Sequence, residues 1–358
     1  MSLRRILASV IGAAVIAAVS MQANAQNPRQ RGDATRLAME GLKLDDGQAR
    51  ALEDTVNAKP DDLDARSKLL GYYSMKRFGS EVAKVARQGH VLWIVEHRPG
   101  AEIAGTPFAQ LDPVIDGDAY ETAKALWSKE VEAHPKDASV LRNAAAQALL
   151  QDSAESERLL RRGRDLEPRV ASWSQQLGHL KELQMSSKAG DERKQLAAEG
   201  FSEYERAYTL AADDDEKSYL LAHLAKTAFE AGKTDKANDY ATRMVVSAAK
   251  RKKDWNTGNA IHQGNLILGR LAFQRGDFTG AKVFLHEAGK TPGSPQLNSF
   301  GPNMALAKDL LERGETKAVL DYFELCGKFW KLGQDRLDAW TTAVKAGEVP
   351  DFGANLNY

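Results

Sequence analysis

The sequence predicts an all-α chain built from helical hairpins stacked one on another. Three observations lead there. Apolar residues recur at three- and four-residue spacing in "ARALEDTV", "LDARSKLLGYY" and "EVAKVARQGHVLWIVEH", the period of a helix with one buried face. Strand-like alternation is nearly absent. The breaks are short: "KPDD" at 59, "HPKD" at 134, "LEPR" at 166, "EAGK" at 230 and "QRGD" at 274. Pro and Asp just ahead of an apolar run mark a helix start, and Gly marks an end. Helices joined by turns this short must fold back on each other as hairpins.

In chain order, residues 1–25 carry an export signal. Arg4 and Arg5 precede the run Ile6 to Val19, apolar except for Ser9 and Gly12, and "ANA" at 23–25 supplies small residues before a cut. That is the pattern of a cleavable signal peptide, and the run is shorter than the roughly 20 residues a spanning helix needs. It places the mature chain, cut near Ala25, in a periplasmic or secreted setting, with no membrane span left. Residues 26–32, "QNPRQRG", read as a flexible leader. Without Arg4 and Arg5, 47 basic residues face 49 acidic ones. Such a balance lacks the basic footprint of a nucleic-acid binder. A lone cysteine, Cys326, excludes an intrachain disulfide.

Taking Gly276 as a hairpin glycine, the residues at fixed offsets are Leu268, Gly269, Ala272, Ala281, Leu285 and Ala288. Around Gly232 the same offsets give Leu224, Ala225, Ala228, Ala237, Ala241 and Met244, and around Gly314 they give Leu306, Ala307, Leu310, Val319, Phe323 and Cys326. An earlier copy aligned on Pro168 matches at Ala144, Leu160 and Gly163, with Gln147 as a mismatch. Small residues let two antiparallel helices approach, and large ones fill the gap to the next hairpin. With these positions the chain resembles the tetratricopeptide-repeat family, most fully over 215–332, then 137–214, and less over 46–135. The resemblance implies an α-solenoid. The corresponding organisation is a divergent N-terminal helical region at 33–118, repeats at 119–332, and a C-terminal capping helix and tail at 333–358.

Two connections are longer than the rest. Residues 97–119 hold three prolines and no helical period. Residues 289–303, "GKTPGSPQLNSFGPN", begin with the last letters of a phosphate-binding loop. That loop needs a glycine where Phe284 stands and a strand before it, so the nucleotide reading fails. The segment 290–301 is expected to be a rigid turn between hairpins, with Gly289 as a C-cap and Pro302 near the first position of the next helix.

No catalytic or metal motif emerges, and no cofactor is called for. His90 and His97 lie two turns apart on one helix, about 10.5 Å, too far to share a metal. There is no His-Glu-x-x-His, no Cys pair and no Gly-x-Ser-x-Gly. Cys326 falls at a packing position, and "KRKK" at 250–253 reads as a solvated helix end. "NTGNAIHQGN" at 256–265 gathers amides and an imidazole at a helix start, where Asn259 and His262 are candidates for side-chain roles.

The family resemblance implies a concave groove lined by the first helix of each hairpin. The position after the small residue then yields a column of His179, Lys226, Arg270 and Lys308, with Tyr219, Gln263 and Phe273 at other groove positions. The expectation is a non-catalytic scaffold that holds a partner protein or acidic peptide. The alternatives are an enzyme or small-ligand receptor closed by the two long connections, and a self-associating spacer.

Overall fold

A computed structural model describes residues 32–251 and 254–356 of the chain. The expected signal peptide, all of the leader but Gly32, and Lys252 and Lys253 of the basic run lie outside the described residues. Every regular element among the described residues is helical. The helices are α1 (Asp33–Gly41), α2 (Asp46–Ala58), α3 (Leu63–Lys76), α4 (Glu81–His97), α5 (Asp118–Ala133), α6 (Ala138–Ala148), α7 (Ser153–Leu166), α8 (Ala171–Ser186), α9 (Gly190–Leu210), α10 (Asp214–Glu230), α11 (Thr234–Lys250), α12 (Thr257–Gln274), α13 (Phe278–Gly289), α14 (Pro295–Phe300), α15 (Ala305–Leu311), α16 (Thr316–Cys326) and α17 (Gln334–Lys345).

The chain divides into two compact units, Met1–Pro168 and Arg169–Tyr358. The division falls inside the span that the periodicity treats as continuous repeats. In the N-terminal unit α3 packs on α1, α2 and α4, α4 on α5, and α6 on α7. In the C-terminal unit neighbours in sequence are neighbours in space from α8 through α13, after which α16 packs on α13, α15 and α17.

The Asp-rich punctuation works as caps. Asp62 accepts from the N–H of Ala65, Asp137 from Ser139 and Val140, and Asp277 from Gly280, each satisfying N–H groups that a helix start leaves unpaired, worth about 1 kcal/mol. The hairpin glycines close the first helices. Gly232, Gly276 and Gly314 have φ of 73°, 83° and 82°, a left-handed conformation open to glycine without steric cost. In each case the next residue's N–H reaches back to Ala228, Ala272 or Leu310 O, the six-to-one bond of a Schellman motif. Ala225, Ala228, Ala237, Ala241, Ala272, Ala281, Ala288 and Ala307 are all fully buried. Gly269 packs closely: a Cβ there would stand 3.1 Å from Phe284 Cβ and 2.3 Å from Leu306 Cδ2, the movable end of its side chain.

Both long connections are packed. Residues 97–119 form two 3-10 turns, Glu102–Gly105 and Pro107–Ala109, and bury Ile103, Ala104, Ala109 and Leu111. Arg87 of α4 donates to Phe108 O at 2.9 Å and Gln110 O at 2.5 Å, and Asn143 of α6 donates to Pro99 O and Ala101 O, both at 2.8 Å. The segment 290–304 is not a plain turn, because Ser294 caps α14 and Pro295 occupies its first turn. Pro302 stands clear of the next helix, whose N-cap is Met304. α13 runs through Gly289 and is capped by Lys290 instead. Residues beyond α17 return to the segment: Asn355 Nδ2 donates to Phe300 O and Pro302 O, and its own carbonyl accepts from Met304 N.

Candidate functional site

The column foreseen on the first helices joins neighbouring helices by charge. His179 lies on α8, Lys226 on α10, Arg270 on α12 and Lys308 on α15. Lys226 Nζ stands 3.3 Å from Glu182 of α8. Arg270 Nε stands 3.7 Å from Asp309 of α15, and its guanidinium lies 4.5 Å from the Phe229 ring of α10. Lys308 pairs with Glu312 on its own helix at 3.5 Å. Each of the three cations thus stands beside an acid. The cationic side chains keep 39%, 34% and 42% of their surface, and ion pairs that exposed contribute about 0–1 kcal/mol each.

Glu182 is the centre of the column's best-built part. Its Oε2 accepts from Tyr204 Oη of α9 and from His223 Nδ1 of α10, both at 2.5 Å. Tyr204 is fully buried and stacks on the His223 ring at 4.8 Å. Burial opposes ionisation of Glu182. His223 and Lys226, together with the two hydrogen bonds, outweigh it and hold the carboxyl well below the usual range. The Tyr204 hydroxyl is pushed up by burial and by the adjacent carboxylate. His179, one turn before Glu182, is lowered chiefly by its own burial. His223 meets Glu182 through Nδ1, while its Nε2 has no hydrogen-bond partner among the described residues and its side chain is 40% exposed. A buried carboxylate orienting an imidazole in this way makes an acid–base pair.

Glu182 and His223 were missed in the sequence. One signal was present: Glu182 lies three residues after His179, on the same face of α8. His223 lacks even that, since its register position belongs to no repeating column.

Asn259 and His262 have a different role from the one foreseen, because both are buried. His262 Nδ1 bonds Ala288 O at 3.2 Å, and its Nε2 accepts the main-chain N–H of Asn303 at 3.2 Å. Asn259 donates to Gln296 Oε1 at 2.8 Å and accepts from Ser294 Oγ at 2.7 Å, while Thr291 Oγ1 donates to Gly258 O at 2.7 Å. These residues staple the 290–304 segment onto α12, which removes them from any docking surface. Burial pushes the imidazole of His262 down to about 4, against a smaller opposing effect from the Ala288 carbonyl.

The remaining candidates are scattered. Gln263 is half-buried on α12. Phe273 packs edge-on against Phe278 at 5.3 Å. Tyr219 lines a small crevice with Asp254, Asn256 and Thr257. Cys326 is fully buried, and burial raises its thiol far above its ordinary value. Arg251 closes α11 by pairing with Asp215 at 2.7 Å. Among the described residues no cluster of three His, Cys, Asp or Glu side chains is placed to hold a metal, and no helix is long and apolar enough to cross a membrane. No protein-family model matches the chain, and no curated protein matches it.

Proposed function

We propose that the C-terminal unit is a tetratricopeptide-like, non-catalytic docking module of an exported protein. Its docking face is the polar face shared by α8, α10, α12 and α15, and its partner is a protein segment of mixed charge. One observation carries this reading. Lys226, Arg270 and Lys308 stand on three of the four first helices, each beside an acid, and all three are left about one-third or more exposed. A partner that alternates charge exchanges those pairs without stranding a charge, whereas a purely acidic one must displace Glu182, Asp309 and Glu312. The test is a crosslinked pull-down from envelope extract with the wild type and the Lys226→Ala/Arg270→Ala/Lys308→Ala variant. Capture lost on a chain that stays folded by circular dichroism supports the face. Equal capture by both rejects it.

A second reading has its own observation. The Glu182–His223 pair, with Nε2 open, suits general acid–base chemistry on water. Hydrolysis of simple ester or amide substrates that disappears in His223→Gln supports an enzyme, and no hydrolysis in the wild type removes that reading.

A further inference from the structure

The N-terminal unit holds a cleft of about 390 Å³ between α2, α3 and α4 that neither long connection covers. Its polar wall is one continuous network. Arg66 Nη1 bonds His90 Nδ1 at 3.0 Å, and His90 Nε2 bonds Glu53 Oε1 at 3.0 Å. Tyr73 Oη donates to the same Glu53 oxygen at 2.7 Å, and Arg66 Nε donates to Pro60 O at 2.8 Å. A guanidinium can only donate, so His90 accepts at Nδ1 and carries its proton on Nε2. Both ring nitrogens are therefore used, and His90 serves as a spacer rather than a base.

The spacer holds an arginine and a glutamate across a single imidazole, their bonded atoms no more than about 8 Å apart. Each group keeps one atom unused. Arg66 is 5% exposed, with its guanidinium 3.7 Å from the Trp93 ring, yet Nη2 has no hydrogen-bond partner among the described residues. Glu53 Oε2 is likewise unpartnered, on a side chain 29% exposed. Burial works against the Glu53 carboxylate, but the bonds from His90 and Tyr73 hold it ionised. Burial lowers the Arg66 guanidinium, with Glu53 and Asp61 opposing. The rest of the lining comes from Val56, Pro60, Ala86, Gly89 and Trp93, with Asn57 as one further polar side chain.

We propose that this cleft binds a free α-amino acid with an apolar side chain. Its carboxylate meets Arg66 Nη2 and its ammonium meets Glu53 Oε2. Arg66 Nη1 and Glu53 Oε1 stand within about 8 Å of each other across the ring, and Nη2 and Oε2 belong to the same two groups, a setting suited to one charge-assisted hydrogen bond on either side of a ligand whose opposite charges sit on adjacent carbons. A longer ω-amino acid overshoots it. The side chain lies along Val56, Ala86 and Gly89, in a volume at the lower end of small-molecule pockets.

The test uses the full chain and five single probes: leucine, isoleucine, valine, methionine and phenylalanine. Thermal shift is followed by calorimetry. At least one probe should bind, and its N-acetyl and amide derivatives, each lacking one charge, should bind about tenfold or more weakly. Glu53→Gln should weaken binding by a similar factor. Gly89→Leu adds bulk at a lining position where a Cβ meets nothing within 4 Å, so the helix accepts it; it should abolish binding in a folded chain. No binding of any probe at about 10 mM, equal binding of the blocked derivatives, or binding retained by Gly89→Leu overturns the proposal.

Discussion

The main-chain N–H of Asn303 donates to Nε2 of His262 at 3.2 Å, across 41 residues of sequence. The bond needs an unprotonated nitrogen, so it exists only while the imidazole is neutral. Burial takes this imidazole from its ordinary value of 6.5 down to about 4 in the folded chain. Above about pH 6.5 neither state binds the proton, and the bond contributes in full. As pH falls from there toward 4 the unfolded chain takes up a proton that the folded chain refuses, so stability declines, by about 3 kcal/mol once both have titrated. Urea midpoints at pH 7 and 4.5 should show a larger drop for the wild type than for His262→Asn.

Glu182 predicts a loss with the opposite pH sense to an ordinary buried acid. Its folded carboxyl lies below its ordinary value of 4.5, so its contribution is present above that value and lost as pH falls through the folded one. Glu182→Leu leaves the buried Tyr204 hydroxyl unpaired while His223 and Lys226 turn to water, at a cost of about 3 kcal/mol. Tyr204→Phe costs about 1 kcal/mol. The double variant should cost less than the two together, a coupling that chemical denaturation of all four chains measures.

What the sequence disclosed and what it withheld follow one rule. Gly232, Gly276 and Gly314, with the alanines at fixed offsets from them, were legible because a close helix crossing tolerates only small residues and repeats that demand at every hairpin. The aspartate caps were legible because a cap acts within three residues. The bonding of Asn259 and His262 was not, since an amide or imidazole at a helix start looks the same whether it meets water or Ser294 and Asn303 much farther along the chain. The cations of the charge column were read on their helices, but their acidic neighbours were not. Glu182 and Asp309 supply the missing charge, and they occupy different offsets from the cations they meet.

Two glycines should respond in opposite directions to alanine. A Cβ at Gly258 would stand 1.9 Å from Gly293 O, where α12 and the 290–304 segment touch main chain to main chain. Gly258→Ala should therefore cost about 2 kcal/mol through overpacking. Gly89 lies inside α4 with open space beside it, and Gly89→Ala should add about 1 kcal/mol through helix propensity. Thermal melts of the two variants check both signs.

Arg87 is the bolt of the 97–119 connection. Besides its bonds to Phe108 O and Gln110 O, it lies 3.8 Å from the buried carboxylate of Asp116. Burial, with Arg77 nearby and Asp116 opposing, pushes its guanidinium down to about 9. Arg87→Leu strands two carbonyls and leaves Asp116 with a single cationic neighbour, costing about 3 kcal/mol. Limited proteolysis should then cut within 97–119 under conditions that leave the wild type whole.

Cys326 gives the native chain a clock. It is the one thiol in the sequence, it sits at 0% exposure among Tyr322, Phe323 and Trp330, and burial keeps it protonated. A thiol reagent added to the intact chain must wait for that core to open. When reclosing outpaces the reagent, the labelling rate counts the open population, and when it does not, the rate counts opening events themselves. One uncatalysed alkylation series thus times the breathing of the C-terminal unit with no engineered probe.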